Sequence, residues 1–370
     1  MNEEQFAAVA LSRVAGIGPA AYRQLLIQFG TAAAALAAEP AALRRVPGIS
    51  ERIARLVPSG EVRAAAERIV DYADRNGVQI LRAGDGAYPA NLAGYDKAPP
   101  VLYHCGQTDL QRRRVLAVVG TRRISKEGAR QIERMLDPLR EYDPLIVSGL
   151  AYGIDTAAHR RALTIGLPTL AVLGSGLQYV YPATNRKLAR EMSRRGGGLL
   201  TEYPHWVQPE REHFPARNRI VAMLADLTLV VESDRSGGSI ITANMAHASG
   251  RKVGACPGRG GDVATAGCNE LIKAGKAHLI DDSEDIVRIL NWEPAAAGRR
   301  QLALFASLPP EQQQLAAVLR ECDEPVHVDA LQRSLDVPPN RLAGLLLTME
   351  MEGTIAALPG RRYRMSAGGA

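Results

Sequence analysis

Cysteine is scarce in this chain of 370 residues, and its four copies are scattered, at Cys105, Cys256, Cys268 and Cys322. No Cys-x-x-Cys pair occurs, so neither a disulfide framework nor a zinc site is expected, and a reducing compartment is favoured. The histidines do not stand at metal-ligand spacings either. We therefore predict that the protein holds no metal ion.

Long apolar runs are also absent. No stretch of the sequence reaches the length that a membrane-spanning helix needs. The first residues, Met-Asn-Glu-Glu, have neither the basic nor the apolar region of a signal peptide. These absences predict a cytoplasmic protein with no membrane partner.

Several motifs of enzyme chemistry are missing. The sequence has no Gly-x-x-x-x-Gly-Lys-Ser/Thr loop, which argues against a P-loop ATPase, and no Gly-x-Gly-x-x-Gly after the first long strand, which argues against a dinucleotide site. Ser175 lies in Gly-Ser-Gly and lacks the Gly-x-Ser-x-Gly elbow of a nucleophilic serine. Asp155 is expected to cap a helix. The sequence thus predicts neither a cofactor nor an enzyme.

The chain is rich in apolar residues and moderately basic. Hydrophobic residues make up 46% of it, the net charge is +6 and the isoelectric point is about 9.2. A chain of this length and composition can bury a sizeable core divided among two or three domains. The positive charge is compatible with a nucleic-acid partner.

The segment from Val115 to Ile280 alternates apolar runs with amphipathic stretches. The apolar runs predict strands at Val115–Val119, Leu145–Ser148, Thr169–Leu173, Leu199–Thr201, Leu227–Glu232 and Lys252–Ala255. The intervening stretches predict helices at Ser125–Glu141, Asp155–Ile165, Asn185–Arg195, Arg217–Ala225 and Ser239–Ser249. This alternation is typical of a mostly parallel sheet with helices on both faces. We predict an α/β fold, Rossmann-like and doubly wound, at residues 77–292.

The first 76 residues are rich in Ala and Leu and helical in period. Two glycine-containing turns, Val14-Ala-Gly-Ile-Gly-Pro and Val46-Pro-Gly-Ile-Ser, each precede a helical stretch. They resemble helix-hairpin-helix elements, whose amide groups can bind a DNA phosphate, and the segment is predicted to be a SAM- or helix-hairpin-helix-like domain. The alternative is a plain pair of helices that uses glycine as a cap.

The end of the chain predicts a separate small domain. Residues 293–307, which begin Glu-Pro-Ala-Ala-Ala-Gly, are predicted to form a linker, and residues 308–370 show three helical stretches followed by a hairpin that turns at Pro359-Gly360. Three helices and a hairpin are typical of a winged helix, which binds DNA or a protein. The expected recognition helix, beginning at Arg341, is mostly apolar, and this composition favours a protein contact.

In an open parallel sheet, ligands bind beyond the carboxyl ends of the strands. The loops that follow the predicted strands carry glycines, hydroxyl groups and cations, which suit phosphate, together with Tyr179, Tyr181 and Phe214, which could stack on bases. The candidate DNA-binding residues are Gly120, Thr121, Arg122, Arg123, Ser148, Gly149, Gly174, Ser175, Gly176, Asn185, Arg186, Lys187, Phe214, Arg217, Asn218, Arg219, Gly238 and Ser239. Such a surface predicts single-strand binding without sequence preference.

These segments together resemble the DNA-processing protein A family (DprA, also called Smf). The resemblance rests on the following motifs in the family's order: Val119-Gly-Thr-Arg, Ser148-Gly-Leu-Ala-Tyr-Gly-Ile-Asp-Thr-Ala-Ala-His, Ala171-Val-Leu-Gly-Ser-Gly-Leu, Tyr181-Pro, Phe214-Pro-Ala-Arg-Asn-Arg-Ile, Gly238-Ser-Ile-Ile-Thr-Ala and Asn269-Glu-Leu-Ile. It implies a homodimer that binds single-stranded DNA in natural transformation and loads the recombinase RecA onto it.

The resemblance also implies roles for particular residues. Arg122 would contact a phosphate, the Ser148–Gly149 and Gly174–Gly176 loops would line the pocket, and Arg217 and Arg219 would flank it. The segment Asn269–Ile280 would lie near the dimer surface. Relatives often have a lysine after Tyr-Pro where this chain has Ala183, so the corresponding cation would be Arg186 or Lys187.

An enzymatic alternative is a nucleoside-monophosphate phosphoribohydrolase, which uses a related sheet with glycine-rich loops. Those enzymes carry Pro-Gly-Gly-x-Gly-Thr-x-x-Glu, whose glutamate serves the ribosyl transition state. The corresponding run here begins at Ser236 and has Asn244 in the glutamate position. An amide can neither act as a base nor stabilise positive charge, so the sequence favours the binding protein.

Overall fold

The computed structural model describes residues 2–294, 310–320, 324–335, 337–351 and 355–365. They form two compact units, Met1–Trp292 and Glu293–Ala370. Residues 295–307 of the predicted linker lie outside the described residues. The predicted boundary at residue 76 falls inside the first unit and stays a prediction, because contacts join the helices before it to the sheet after it.

The chain begins with a cluster of short helices. They are α1 (Glu3–Arg13), α2 (Pro19–Phe29), α3 (Ala32–Ala37), α4 (Pro40–Leu43), α5 (Glu51–Leu56) and α6 (Gly60–Asn76). The two predicted turns have the same hydrogen bond, from Ile17 N to Val14 O (3.0 Å) and from Ile49 N to Val46 O (3.1 Å). The predicted tandem of helical hairpins is therefore confirmed.

The rest of the first unit is built on one sheet. Its strands are β1 (Gln79–Arg82), β2 (Val101–Gly106), β3 (Val115–Val119), β4 (Leu145–Ser148), β5 (Thr169–Val172), β6 (Gly198–Thr201), β7 (Leu227–Val230), β8 (Lys252–Ala255) and β9 (His278–Leu279). They lie in the order β1-β2-β6-β5-β4-β3-β7-β8-β9. Every pair from β6 to β9 is parallel, and only the pairings that involve β2 are antiparallel. The predicted mostly parallel sheet is confirmed.

Eight helices accompany this sheet among the described residues, most of them between successive strands. They are α7 (Ala90–Ala93), α8 (Lys126–Leu136), α9 (Ile154–Ile165), α10 (Arg186–Arg194), α11 (His213–Leu224), α12 (Gly238–Ala248), α13 (Ala266–Lys273) and α14 (Ser283–Leu290). Alternate residues of each strand face opposite layers: Leu116 and Val118 pack with α8, α9 and α14, whereas Ala117 and Val119 pack with α11, α12 and α13. Helices therefore cover both faces, as the doubly wound fold requires.

Prolines account for the two largest errors in the predicted helix bounds. The helix predicted to end at Glu141 ends at Leu136 and is followed by a 3₁₀ turn at Pro138–Tyr142, because proline cannot donate the next helical hydrogen bond. The helix predicted to begin at Arg217 begins at His213. Pro215 falls in its first turn, where an N–H group has no helical partner to lose.

The second unit is a small winged helix, as predicted. It contains α15 (Pro310–Arg320), β10 (Val326–His327), α16 (Val328–Leu335), α17 (Pro339–Met351), β11 (Ile355–Leu358) and β12 (Arg362–Met365). The sheet order β10-β12-β11 includes a short strand that the sequence did not predict. Among the residues described in either unit, no helix is long and apolar enough to cross a membrane.

Candidate nucleic-acid interface

The strand order reverses next to β3. The chain runs from β3 outward to β4, β5 and β6 on one side, then returns to β7 on the other. The loops after β3 and β7 therefore diverge, and a crevice opens at the carboxyl edge, where such folds bind ligands. This switch-point pocket has a volume of about 350 Å³ and is lined by Val119, Gly120, Thr121, Arg122, Arg123, Ala151, Asp155, Phe214, Arg217, Asn218, Ser233, Asp234, Gly237, Gly238, Ser239 and Thr242.

The loop after β3 is held in place by hydrogen bonds to Glu232, which is 3% exposed. The main-chain oxygen of Glu232 accepts a hydrogen bond from Thr121 N (2.6 Å), and its carboxylate accepts one from Ser125 N (3.0 Å). With both ends tied, the loop presents Arg122 and Arg123 to solvent. Neither arginine forms an ion pair with a described residue, so both positive charges are available to a ligand.

The same loop packs closely against Gly153, at the start of α9. Gly153 has a φ of +77°, and a Cβ atom there would fall on the Thr121 carbonyl oxygen and lie 2.8 Å from the Arg122 Cα atom. Ile154 N donates to that carbonyl oxygen at 3.1 Å. A residue with a side chain cannot take this position without moving the loop, so the glycine helps to place Arg122.

An aromatic row adjoins Arg122. The Arg122 guanidinium lies 5.9 Å from the centroid of the Phe214 ring. That ring lies 5.4 Å from Tyr181, with the two planes inclined at 47°. Tyr181 is 44% exposed, so much of its side chain is accessible to a ligand. A cation followed by accessible rings suits a phosphate followed by unstacked bases.

The start of α12 provides hydrogen-bond donors in the same pocket. Its N-cap residue is Gly237, which has no side chain to accept from the first turn. The amide groups of Gly238 and Ser239 donate to no described residue. Free amides at a helix start attract an anion.

Arg217, predicted to flank the DNA-binding site, is buried in the structure. It is 4% exposed, and its Nη1 atom donates to the carbonyl oxygens of Gly149 (2.6 Å) and Val172. It also interacts electrostatically with Asp155. Although Arg217 contributes to the pocket wall, its guanidinium group is turned into the protein and ties the loop after β4 to β5.

Asp155 holds the same loop from the other side. Its carboxylate accepts hydrogen bonds from Gly149 N (3.1 Å) and Ala151 N (3.3 Å), so it fastens the preceding loop and does not cap its own helix as predicted. Burial raises the pKa of Asp155, while Arg217 and the two backbone amides oppose that rise. Asp155 and Arg217 therefore stabilise each other inside the pocket wall.

Arg219 and Asn185 also differ from expectation. Both nitrogens of the Arg219 fork bind the Glu202 carboxylate, at 2.8 and 2.7 Å, and both side chains are mostly buried. Asn185 is 3% exposed and donates to Leu150 O and Thr156 Oγ1. These contacts join elements of the protein to one another, so neither side chain is placed to contact a DNA strand directly.

The remaining predicted residues lie outside the pocket lining. Ser148 Oγ donates to Val118 O, and Ser175 Oγ donates to Tyr179 O, each at 2.6 Å, so both hydroxyl groups are structural. Gly149, Gly174 and Gly176 belong to the same two loops. Arg186 and Lys187 are exposed at the start of α10 and form no ion pair with a described residue.

The sequence prediction missed several lining residues, among them Ala151, Asp155, Ser233, Asp234, Gly237 and Thr242. They are small or acidic residues, and residue type alone did not set them apart from the rest of the connecting segments. Their position after β4 and β7 was the available signal, because these strands lie on either side of β3.

The doubly wound sheet has a basic pocket at its switch point, and the chain carries helical hairpins at its start and a winged helix at its end. Together these features define an α/β protein that interacts with nucleic acid. Comparison with known families makes this specific. The model of DNA recombination-mediator protein A matches residues 79–291, a DprA-like N-terminal HHH domain matches 2–78 and a DprA winged helix domain matches 302–361. The chain belongs to this DprA/Smf family and has a role in DNA processing.

Individual relatives agree. Protein Smf of Synechocystis is 29% identical over 98% of this chain and 99% of its own length, and Protein Smf of Escherichia coli is 34% identical over 82% of each. The X-ray structure of DprA from Streptococcus pneumoniae superposes with a TM-score of 0.64 at 31% identity, covering 79% of this chain and 99% of that one. DNA processing protein A from Helicobacter pylori, whose structure describes its single-stranded DNA binding mode, has a TM-score of 0.53 at 27% identity, covering 58% and 97%.

Proposed function

We propose that this protein binds single-stranded DNA in the switch-point pocket and loads RecA onto the strand during natural transformation, in the cytoplasm. The observation that carries the proposal is the unpaired Arg122 beside the row of Phe214 and Tyr181, on a loop fastened at both ends. The single-stranded DNA binding mode described for the Helicobacter pylori relative supports it.

In this proposal the pocket divides the strand between two kinds of contact. Arg122, Arg123 and the free amides of α12 take phosphate oxygens, and Phe214 and Tyr181 stack on bases. Asn218, Thr121 and Ser239 supply further polar groups, while Arg186 and Lys187, exposed on α10, take the next phosphates. Every base has a face on which an aromatic ring can stack, so the site holds a strand without selecting a sequence.

The pocket is proposed to bind and not to catalyse. Asn244, which replaces the glutamate of phosphoribohydrolases, lies outside the pocket lining and accepts a hydrogen bond from Lys276 Nζ (3.2 Å). Asp155, a carboxylate in the lining, is engaged by two backbone amides. The alternative enzyme is therefore not favoured, and no cofactor is proposed.

RecA loading can be tested directly. We expect the protein to accelerate assembly of RecA on labelled oligo-dT, measured by fluorescence anisotropy over time. The control is the same assay on strand already saturated with RecA, where the protein should have no effect. Oligo-dT binding without acceleration of RecA assembly would leave the strand-binding function standing and contradict the loading function.

A homodimer is proposed from the free edge of the sheet. The outer side of β9 pairs with no described strand, and Leu279 on it is 51% exposed. An unprotected edge strand with an apolar side chain is prone to pair with another chain. We expect Leu279→Asp to reduce the molecular mass from that of a dimer to that of a monomer in sedimentation equilibrium. The control Ile27→Asp, at a site 73% exposed on α2, should leave the mass unchanged. A dimeric Leu279→Asp variant would move the interface elsewhere.

The placement of Arg122 by Gly153 provides a further prediction. Gly153→Ala should lower oligo-dT affinity about tenfold or more, equivalent to ~1.4 kcal/mol, because the added methyl group displaces the Thr121–Arg122 loop. Gly166→Ala is the matched control. Gly166 ends the same helix with a φ of +80° and has no atom within 4 Å of an added Cβ, so alanine there imposes backbone strain without displacing the loop. Equal affinities of the two variants in anisotropy titrations would contradict a positioning role for Gly153.

A further inference from the structure

The amino edge of the sheet carries a second cationic cluster, opposite the switch-point pocket. Arg113 and Arg114 directly precede β3, and Arg251 and Lys252 stand at the start of β8. With Asp226, Gly250, Leu290 and Trp292, these residues line a pocket of about 470 Å³. None of them belongs to the candidate DNA-binding residues, and we call this group the amino-edge cluster.

The cluster has an excess of positive charge. Four cationic side chains line the pocket, and Asp226 is the one carboxylate among the described lining residues. That carboxylate accepts hydrogen bonds from Val115 N (2.8 Å) and Asn91 Nδ2 (3.5 Å). Asp226 therefore fixes the start of β3 and can balance only part of the charge around it.

Neutral groups hold most of the cations in place. Arg114 donates to Tyr142 O at 2.8 Å, Arg251 donates to Asn91 O at 2.7 Å, and Lys252 donates to Ile289 O. Carbonyl oxygens orient a cation without cancelling its charge. Arg113 is exposed and forms no ion pair with a described residue. The cluster is thus preorganised and electrostatically unsatisfied.

The position of the cluster separates it from the site already described. Ligands of such folds bind at the carboxyl edge, so the fold itself does not account for a basic pocket at the amino edge. The five residues of β3 lie between the two sites, a length of about 17 Å. Trp292 is 9% exposed and forms part of the wall, so it cannot stack on a base. A ligand here would be recognised by its negative charge alone.

We infer that the amino-edge cluster is a second phosphate-binding site, which holds the backbone of a single DNA strand after it leaves the switch-point pocket. This inference rests on the proposed strand-binding function. A strand that follows the surface from one edge of the sheet to the other would be held by stacking and phosphate contacts at the first site and by phosphate contacts only at the second. The second site should therefore contribute nothing to the affinity for a short DNA strand and should raise the affinity for a long one.

The test compares wild type with the double variant Arg113→Glu/Lys252→Glu, using oligo-dT of about 8 and about 40 nucleotides, since single-strand sites on proteins span ~4–16 nucleotides. Both side chains are exposed, so the fold should tolerate the changes. We expect unchanged affinity for the short strand and a loss of about tenfold or more for the long one. The slope of log K against log salt for the long strand should fall by ~0.7 for each lost phosphate contact.

The control is Arg75→Glu, a charge reversal in α6 at a side chain that is 80% exposed. It lies beside β1, at the far end of the strand order, and should alter neither affinity. Equal long-strand affinity of wild type and the double variant would overturn the inference, as would an equal loss for both lengths. Binding of inorganic phosphate by wild type and not by the double variant, together with equal long-strand affinity of the two proteins, would show a site for free phosphate and overturn the inference. Failure of wild type to bind even the short strand would refute the strand-binding function itself.

Discussion

Arg122→Ala should lower the affinity for oligo-dT about tenfold or more, because a charge-assisted hydrogen bond to phosphate contributes ~1.5–3 kcal/mol. The salt slope of binding should fall by ~0.7, the value for one phosphate contact on a single strand. Arg122 is exposed and forms no ion pair with a described residue, so the free energy of unfolding should not change. Anisotropy titrations at two ionic strengths and urea unfolding measure the three quantities.

Two control variants separate the role of the Arg122 fork from a general effect of removing positive charge. Arg122→Lys keeps the charge but loses the planar fork that binds phosphate, so its affinity should lie between those of wild type and Arg122→Ala. Arg75→Ala removes an exposed arginine remote from the pocket and should bind as wild type does. Wild-type affinity and salt slope in Arg122→Ala would remove Arg122 from the strand-binding site.

Arg217→Met should act on stability, in contrast to Arg122→Ala. Loss of the guanidinium leaves the carbonyl oxygens of Gly149 and Val172 without their donor and the buried Asp155 without its nearby cation. Leaving a buried acceptor without its donor costs ~1–3 kcal/mol for each group. The urea midpoint of unfolding should therefore fall sharply. Affinity for single-stranded DNA should decline only to the extent that the protein unfolds or the loop after β4 moves.

The loss of stability in Arg217→Met should depend on pH. Burial already raises the pKa of Asp155, and Arg217 is the largest of the influences that lower it, so its removal raises the folded-state pKa further. A carboxyl group whose pKa is raised by folding contributes stability below its unfolded pKa and loses it as the pH rises. The variant should therefore be closest to wild type near pH 4 and should fall progressively behind toward neutrality.

The double variant Arg217→Met/Asp155→Asn tests this cause. An amide carries no charge to strand in the interior, so the double variant should recover part of the lost stability, and its difference from wild type should no longer grow between pH 4 and 7. If Arg217→Met unfolds at the wild-type urea midpoint but binds DNA poorly, Arg217 would be a contact residue, as first expected from the sequence.

Much of the fold was predictable because it depends on local patterns. The apolar runs of β3, β4 and β7 are buried on both faces, as their continuous hydrophobicity predicted. The hydrogen bonds at Val14 and Val46 match two turns that the glycines had marked. Helix bounds failed where prolines intervened, since Pro138 ends α8 early whereas Pro215 is tolerated inside the first turn of α11.

The candidate site was predictable in part. The residues Gly120 to Arg123, Phe214 and Gly238 do meet at one pocket, because the carboxyl ends of parallel strands lie at one edge. The sequence could not distinguish Arg122 from Arg217 or Arg219, since all three are arginines in segments that connect predicted strands. Their environments differ only after folding: α11 turns Arg217 toward two buried carbonyl groups, and Glu202 takes up Arg219.

The sequence by itself determined which segments form strands and helices, the family to which the chain belongs and the edge of the sheet at which a ligand should lie, because these follow from periodicity, turn residues and motif order. Only the tertiary structure decided which charges remain available. A guanidinium group is free for phosphate or already committed according to the carbonyl and carboxylate groups that long-range packing brings beside it. The same packing brought Arg113 and Arg114, which precede β3, next to Arg251 and Lys252 at the start of β8. The two pairs are far apart in the sequence, and no local pattern links them.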